Sequence, residues 1–196
     1  MISRVQVVQR ICSRAIKIKE DEVKTQQLIV LTVIFTMAMG ATYSMQSGSL
    51  SADLAKDWEA QKATMMQISN EMPEDTFNFK ATPTQRSWGE QILHVAGANV
   101  GLMQILGSNV PAPVINQTSN SKSAILSALS DSFDFGSAVL AEMDDSSLQQ
   151  VVKGPSFFGD GTRAKFVYRT MMHTENIYGQ MVVYLRLNGL VPPASQ

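Results

Sequence analysis

Two histidines, His94 and His173, are the only imidazoles in the 196 residues. Each sits inside a long helical pattern of otherwise apolar residues. Two imidazoles on facing helices of a bundle make up most of a metal site, because neutral ring nitrogens suit zinc, nickel, copper or iron. A catalytic ion generally takes three protein ligands and keeps an open position. Residues four apart on a helix share one face, so the place one turn after His173 would complete the set. That place holds Ile177, which cannot coordinate. Whether the chain is an enzyme turns on how this gap is read.

Several residues could stand in for the third ligand. Asn176 and Gln180 lie close in angle to His173, but neutral amides are weak ligands for these ions. Glu175 is turned about 160° away and is expected to face solvent. Asp53, Asp57 or Glu71 on the first helix would serve if packing brought a carboxylate to two histidines. The metal-free alternative makes His94 and His173 a satisfied pair, hydrogen-bonded to each other, to Tyr178 or to backbone.

Four helix-length segments are expected to position these groups. The first runs from about Ser51 to Met72, with Leu54, Trp58, Ala60, Met65 and Ile68 at helical spacing and Pro73 closing it. Residues 77–83 read as an extended connector. The second opens at Ser87-Trp88-Gly89-Glu90, a capping box, and carries Ile92, Val95, Ala96, Leu102, Met103 and Leu106 before Gly107. The third covers about Ser121 to Met143, with Ile125, Leu126, Leu129, Phe133, Val139 and Leu140. Turn signals at Gly154-Pro155 and Gly159-Asp160-Gly161 surround Phe157 and Phe158. The fourth runs from about Arg163 to Leu187 and stops at Asn188-Gly189. No alternating pattern is long enough for a sheet, so the fold class is all-α, a four-helix bundle after an N-terminal hydrophobic leader.

Composition narrows the function. Residues 1–25 hold six basic groups against three acids, and the rest has ten basic against fourteen acidic residues. Such a mildly acidic domain without Lys/Arg clusters is a poor nucleic-acid binder. The single cysteine, Cys12, lies in the leader, which leaves the folded part neither a disulfide framework nor a thiol nucleophile. Residues 1–45 read as a basic n-region with a signal peptide or anchor. The apolar run Leu28 to Gly40 follows a positive flank and leads into small residues, the three parts of a secretory signal. The run is short for a span of about 20 apolar residues. Export with cleavage, periplasmic or secreted, is the preferred reading, and an uncleaved membrane anchor through residues 26–45 the alternative.

Other features read as structural. The twelve methionines are spread along the chain and suit core filling. Trp88 and Tyr184 read as core and rim aromatics, Gly97 and Gly101 as a close-packing step, and Arg163 and Arg186 as solvated ends. Asn116-Gln117-Thr118 matches a glycosylation acceptor, a triplet frequent by chance.

Three blocks carry a family resemblance. Met72-Pro-Glu-Asp-Thr-Phe-Asn-Phe-Lys-Ala-Thr-Pro83, then Arg86-Ser-Trp-Gly-Glu90 with Leu93-His-Val-Ala-Gly-Ala-Asn99, resemble the first half of the DinB/YfiT-like superfamily. His173 to Ser195 is similar to its closing helix and tail. The resemblance spans residues 50–195. It implies a four-helix bundle of metalloenzymes that bind a divalent ion through three histidines, some of them thiol-dependent transferases or isomerases. On this chain it implies His94 and His173 as metal ligands, with Ile177 in the third histidine's place. The implied cofactor is a divalent metal such as zinc, nickel, iron or manganese. The implied partner is a small molecule, and a homodimer is compatible with a bundle of this size. The alternative function is a metal-free small-molecule-binding or structural bundle of the same descent.

Overall fold

The computed structural model describes residues 48–196 together with Lys17. The leader reading over residues 1–45 otherwise lies outside the described residues.

Each long helix begins where a small hydroxyl residue can cap it. Helix α1, Leu50–Glu71, starts behind Ser49, whose side chain accepts from the Ala52 amide, and ends before Pro73. A 3-10 turn, Glu74–Thr76, precedes residues 77–83, which turn at 77–78 and bend again from 81 instead of running as an extended connector. Helix α2, Trp88–Gln104, carries the complete capping box: Ser87 accepts from the Glu90 amide, and the Glu90 carboxylate accepts from the Ser87 amide. The connection after it turns at Gly107, whose φ of 73° suits a residue without Cβ. Helix α3, Lys122–Ala141, is capped by Ser121. Helix α5, Arg163–Leu187, is capped by Thr162 and spans the range expected for the fourth helix.

The segment between α3 and α5 holds more order than its turn signals suggest. A single helical turn, α4, covers Asp145–Leu148. The pairs β1, Val151–Val152, and β2, Gly161–Thr162, form a two-residue antiparallel ladder that pairs Val151 with Thr162. Alternation over two residues is too short to register as a strand in the sequence.

Helix α1 packs on α3 and α5, and α2 packs on the same two, which orders the bundle as α1, α3, α2, α5. The long crossover 72–87 therefore joins diagonal helices. Contacts give the directions: Lys122 reaches the Met72 carbonyl while Trp58 bonds the Phe133 carbonyl, so α1 and α3 run antiparallel. Gly89 meets Ile125 and Asn99 bonds Ser132, so α2 and α3 run parallel.

The core is one cluster that includes Trp58, Trp88, Phe133, Phe166 and Tyr184, with Met65, Met72, Met103 and Met181 filling between them. Tyr184 is thus a core residue rather than a rim one, its hydroxyl donating to the Arg86 carbonyl at 2.6 Å. Ala60, expected on the inner stripe of α1, is exposed. Arg163 is no solvated end: its Nε donates to the Leu106 carbonyl at 2.7 Å and its Nη1 to Gln150 Oε1 at 2.8 Å, tying α5 to the end of α2.

Candidate histidine centre

Helices α2 and α5 run antiparallel, and polar contacts fix their register on both sides of the histidines. Tyr184 bonds the Arg86 carbonyl, Gln91 Nε2 donates to Gln180 Oε1 at 2.9 Å, and Arg163 bonds the Leu106 carbonyl. Between these ties His94 and His173 meet, with Nε2 to Nε2 at 3.0 Å and ring planes inclined at 69°. One step further along, a fully buried amide–hydroxyl chain joins three helices. Thr174 Oγ1 donates to Asn99 Oδ1, and Asn99 Nδ2 donates to Ser132 Oγ. The two sequence-derived site residues are therefore brought together.

Burial pushes the His94 imidazolium down to about 4, aided by the positive charge of Arg86 and by His173. His173 is lowered by burial first and Arg86 second. Both rings are neutral near pH 7, the form in which imidazole ligates metals or shares a hydrogen bond. The unfolded chain takes up protons at its histidines near pH 6.5 while the folded pair resists. Stability from the neutral pair is thus complete above about pH 6.5 and falls as pH drops from there to about 4. Urea melts over that window are expected to show this loss of stability, with a shallower slope in His94→Gln. An unchanged slope in that variant would mean that the pair is not its source.

Ile177 is 5% exposed and belongs to the apolar core. Asn176 and Gln180 do not replace the missing ligand, because Gln180 Nε2 donates to Asn176 Oδ1 and Gln180 Oε1 accepts from Gln91. Asp53 and Asp57 face solvent, and no cluster of three His, Cys, Asp or Glu groups able to hold an ion exists among the described residues. Glu175 is exposed as expected, and accepts from Gln61 Nε2. Tyr178 is not among the bonded partners of either histidine; the bond is between the rings themselves.

Does the donor set fit a divalent ion? Two nitrogens on one tetrahedral zinc lie about 3.4 Å apart, given Zn–N bonds of about 2.05 Å. The separation of 3.0 Å is within a small side-chain adjustment of that bite. The pair therefore fits as two ligands of an ion whose other positions are left to water or ligand oxygens.

An apolar groove of about 740 Å³ opens beside the pair, lined by both histidines with Leu102, Ile105, Phe157 and Phe158. Gly101 also lines it, and a Cβ there would meet nothing within 4 Å. Gly97 lies instead under the Gln117 side chain. The pair of glycines thus clears space beside the site and under a side chain, not for a close helix crossing. On its other side His94 faces a polar cleft of about 430 Å³ with Lys80, Arg86 and Glu90. Sequence reasoning missed both openings. The signal for the groove was the aromatic pair Phe157-Phe158 between two glycine turns, which put apolar rings on a loop instead of in a core.

A family model described as DinB family matches residues 44–196. No curated relative matches the chain. Among solved structures, a DinB-like protein from Bacillus cereus ATCC 10987 is 16% identical with a TM-score of 0.65, covering 74% of this chain and 96% of that one. A DinB-like protein of Bacillus subtilis, YjoA, is 14% identical with a TM-score of 0.57, covering 70% and 92%. YfiT from Bacillus subtilis, described as a probable metal-dependent hydrolase with an unusual four-helix bundle topology, is 13% identical with a TM-score of 0.58, covering 74% and 92%. At these identities the structures establish a shared fold. With the family match over most of its length, the chain belongs to the DinB family.

Proposed function

We propose that the protein binds a divalent metal ion at His94 and His173, beside a groove that admits a small molecule, and that it works outside the cytoplasm. The observation that carries the metal reading is the convergence of two neutral imidazole Nε2 atoms at 3.0 Å on the rim of that groove. Export rests on the basic leader and its apolar run, Leu28 to Gly40. Ile177 leaves the site with two protein ligands, so the ion would be held more weakly than by three histidines. When bound, such an ion acts as a Lewis acid that polarises a carbonyl or lowers the pKa of water or a thiol. The chain's own part is to keep the imidazoles neutral and to present an apolar wall to the ligand.

One observation favours a second reading, a metal-free ligand-binding bundle. His173 Nδ1 is buried without a hydrogen-bond partner among the described residues. A bare lone pair there costs less than an N–H, which favours His173 Nε2–H donating to His94 Nε2. Ligation through His173 Nε2 moves the proton to Nδ1 and strands a buried donor, at a cost of about 1–3 kcal/mol. Histidine ligands of metals ordinarily donate that second N–H to an acceptor.

Metal analysis separates the two readings. Protein purified without chelator is expected to carry a divalent ion, or to take up zinc or nickel at one equivalent. His94→Ala is expected to abolish this uptake while the helical circular dichroism is unchanged. Uptake of no ion by the parent, or equal uptake by His94→Ala, would leave the metal-free reading.

A further inference from the structure

His94 is the wall between two openings of opposite character. On one side lies the apolar groove with Leu102, Ile105, Phe157 and Phe158, and Phe157 is 75% exposed there. Its volume falls in the range of about 300–1,000 Å³ typical of small-molecule sites. On the other side lies the polar cleft with Lys80, Thr84, Gln85, Arg86, Glu90 and Gln117. The charges in that cleft are not equivalent. Glu90 is occupied at the helix start, where its carboxylate accepts from the Ser87 amide at 2.6 Å, and Lys80 pairs with the same carboxylate at 3.4 Å. Gln117 is tied to the Leu93 carbonyl. Arg86 forms no ion pair among the described residues, although its backbone carbonyl is anchored by Tyr184. Among the described residues the cleft therefore offers one uncommitted cation, Arg86, held at a fixed point of the chain next to His94. Lys153, on the lining of the groove itself, also forms no ion pair among the described residues but carries an ammonium and not a planar fork of donors.

From this juxtaposition we infer that the groove and the cleft form one site for a small amphiphilic monocarboxylate, its aliphatic or aromatic body against Phe157, Phe158 and Leu102 and its carboxylate against Arg86 across His94. The inference rests on reading the groove and the histidine pair as one ligand site, and it names that ligand's class. Guanidinium favours carboxylate over a neutral hydroxyl because it offers a planar fork of donors and a permanent charge. The apolar wall offers little to a polar body and gains from each methylene removed from water. A ligand lying across His94 would also shield the imidazole edges from bulk water.

Calorimetric titration of the full-length protein with octanoate and with octanol tests this, in chelator-treated and in zinc-supplemented protein. Octanoate is expected to bind saturably and about fivefold more tightly than octanol, the modest gain of one exposed ion pair. Arg86→Gln is expected to bring octanoate to the level of octanol while octanol is unaffected. Gly101→Leu, whose Cβ would meet nothing within 4 Å and whose side chain starts in open groove space, is expected to weaken both ligands about tenfold or more. Phe157→Ala, at an exposed side chain whose loss does not threaten folding, is expected to weaken both in the same direction. Absence of saturable octanoate binding, or equal binding of the two ligands with no response to Arg86→Gln, would overturn the inference. Octanoate binding in protein that takes up no zinc would retire the metal reading alone. Zinc uptake without octanoate binding would retire this inference alone.

Discussion

Replacing Ile177 by histidine is expected to raise zinc affinity about 100-fold or more, because it adds the third imidazole of a three-ligand site with one open position. Position 177 lies one helical turn beyond His173 on α5, on the face shared by residues four apart. The partner imidazole of His94 is already 3.0 Å from His173, so the new ring joins two nitrogens that converge without metal. In the absence of an ion the variant is expected to be less stable than the parent by about 2 kcal/mol, since a buried isoleucine gives way to a more polar ring. Saturating zinc should reverse the order. An ion bound at 100 times its Kd stabilises the native state by about 2.7 kcal/mol, enough to offset that loss.

Two measurements check this. Competition against a chromophoric chelator reads the affinities, and melting temperatures with and without zinc read the linkage. Zinc is expected to raise the melting temperature of Ile177→His well above its small effect on the parent. The double variant Ile177→His/His94→Ala is expected to lose most of the gain. A gain that survives loss of His94 would mean that position 177 and the histidine pair do not address one point.

The site and the scaffold were legible in the sequence to different degrees. Helix starts were readable because a cap is a local device. Ser87 with Glu90 satisfies orphan amides within four residues, and the structure places the helix start there. The histidines were readable as a pair because they are the only two and each lies on an apolar helix pattern. What surrounds them was not readable. An amphipathic stripe states that a face is covered, not which neighbour covers it, so the parallel packing of α2 on α3 is absent from the pattern. The same limit hid Arg163, whose bonds to Leu106 and Gln150 depend on how the α2 end meets α5. Gly101 had two compatible readings, close packing or open space, and only the position of the 154–158 loop decides between them. The replacement ligands failed for a reason equally invisible in one dimension: Asn176 and Gln180 bond to each other along the helix.

The helix arrangement behind the site yields the second large effect, at the contact of α1 with α3. Trp58 is fully buried, its ring 5.0 Å from that of Phe133 and its Nε1 donating to the Phe133 carbonyl at 3.0 Å. Trp58→Ala is expected to cost about 3–5 kcal/mol, the loss for deleting a buried aromatic. Gly136, on α3, is what lets the indole lie there, since a Cβ at that position would come within 2.2 Å of Trp58 Cζ2. Alanine normally improves a helix interior by about 1 kcal/mol over glycine. Here Gly136→Ala is expected to destabilise instead, by about 1–3 kcal/mol, because a close-packed core has no room to move a tryptophan aside. In the Trp58→Ala background the sign should reverse. With the indole gone, the clash is gone and the helix preference remains, so the same substitution is expected to stabilise by about 0.5–1 kcal/mol. Urea melts of the parent, both single variants and the double variant complete the cycle. If Gly136→Ala stays equally harmful without the indole, the Trp58 contact is not the reason that glycine stands at 136.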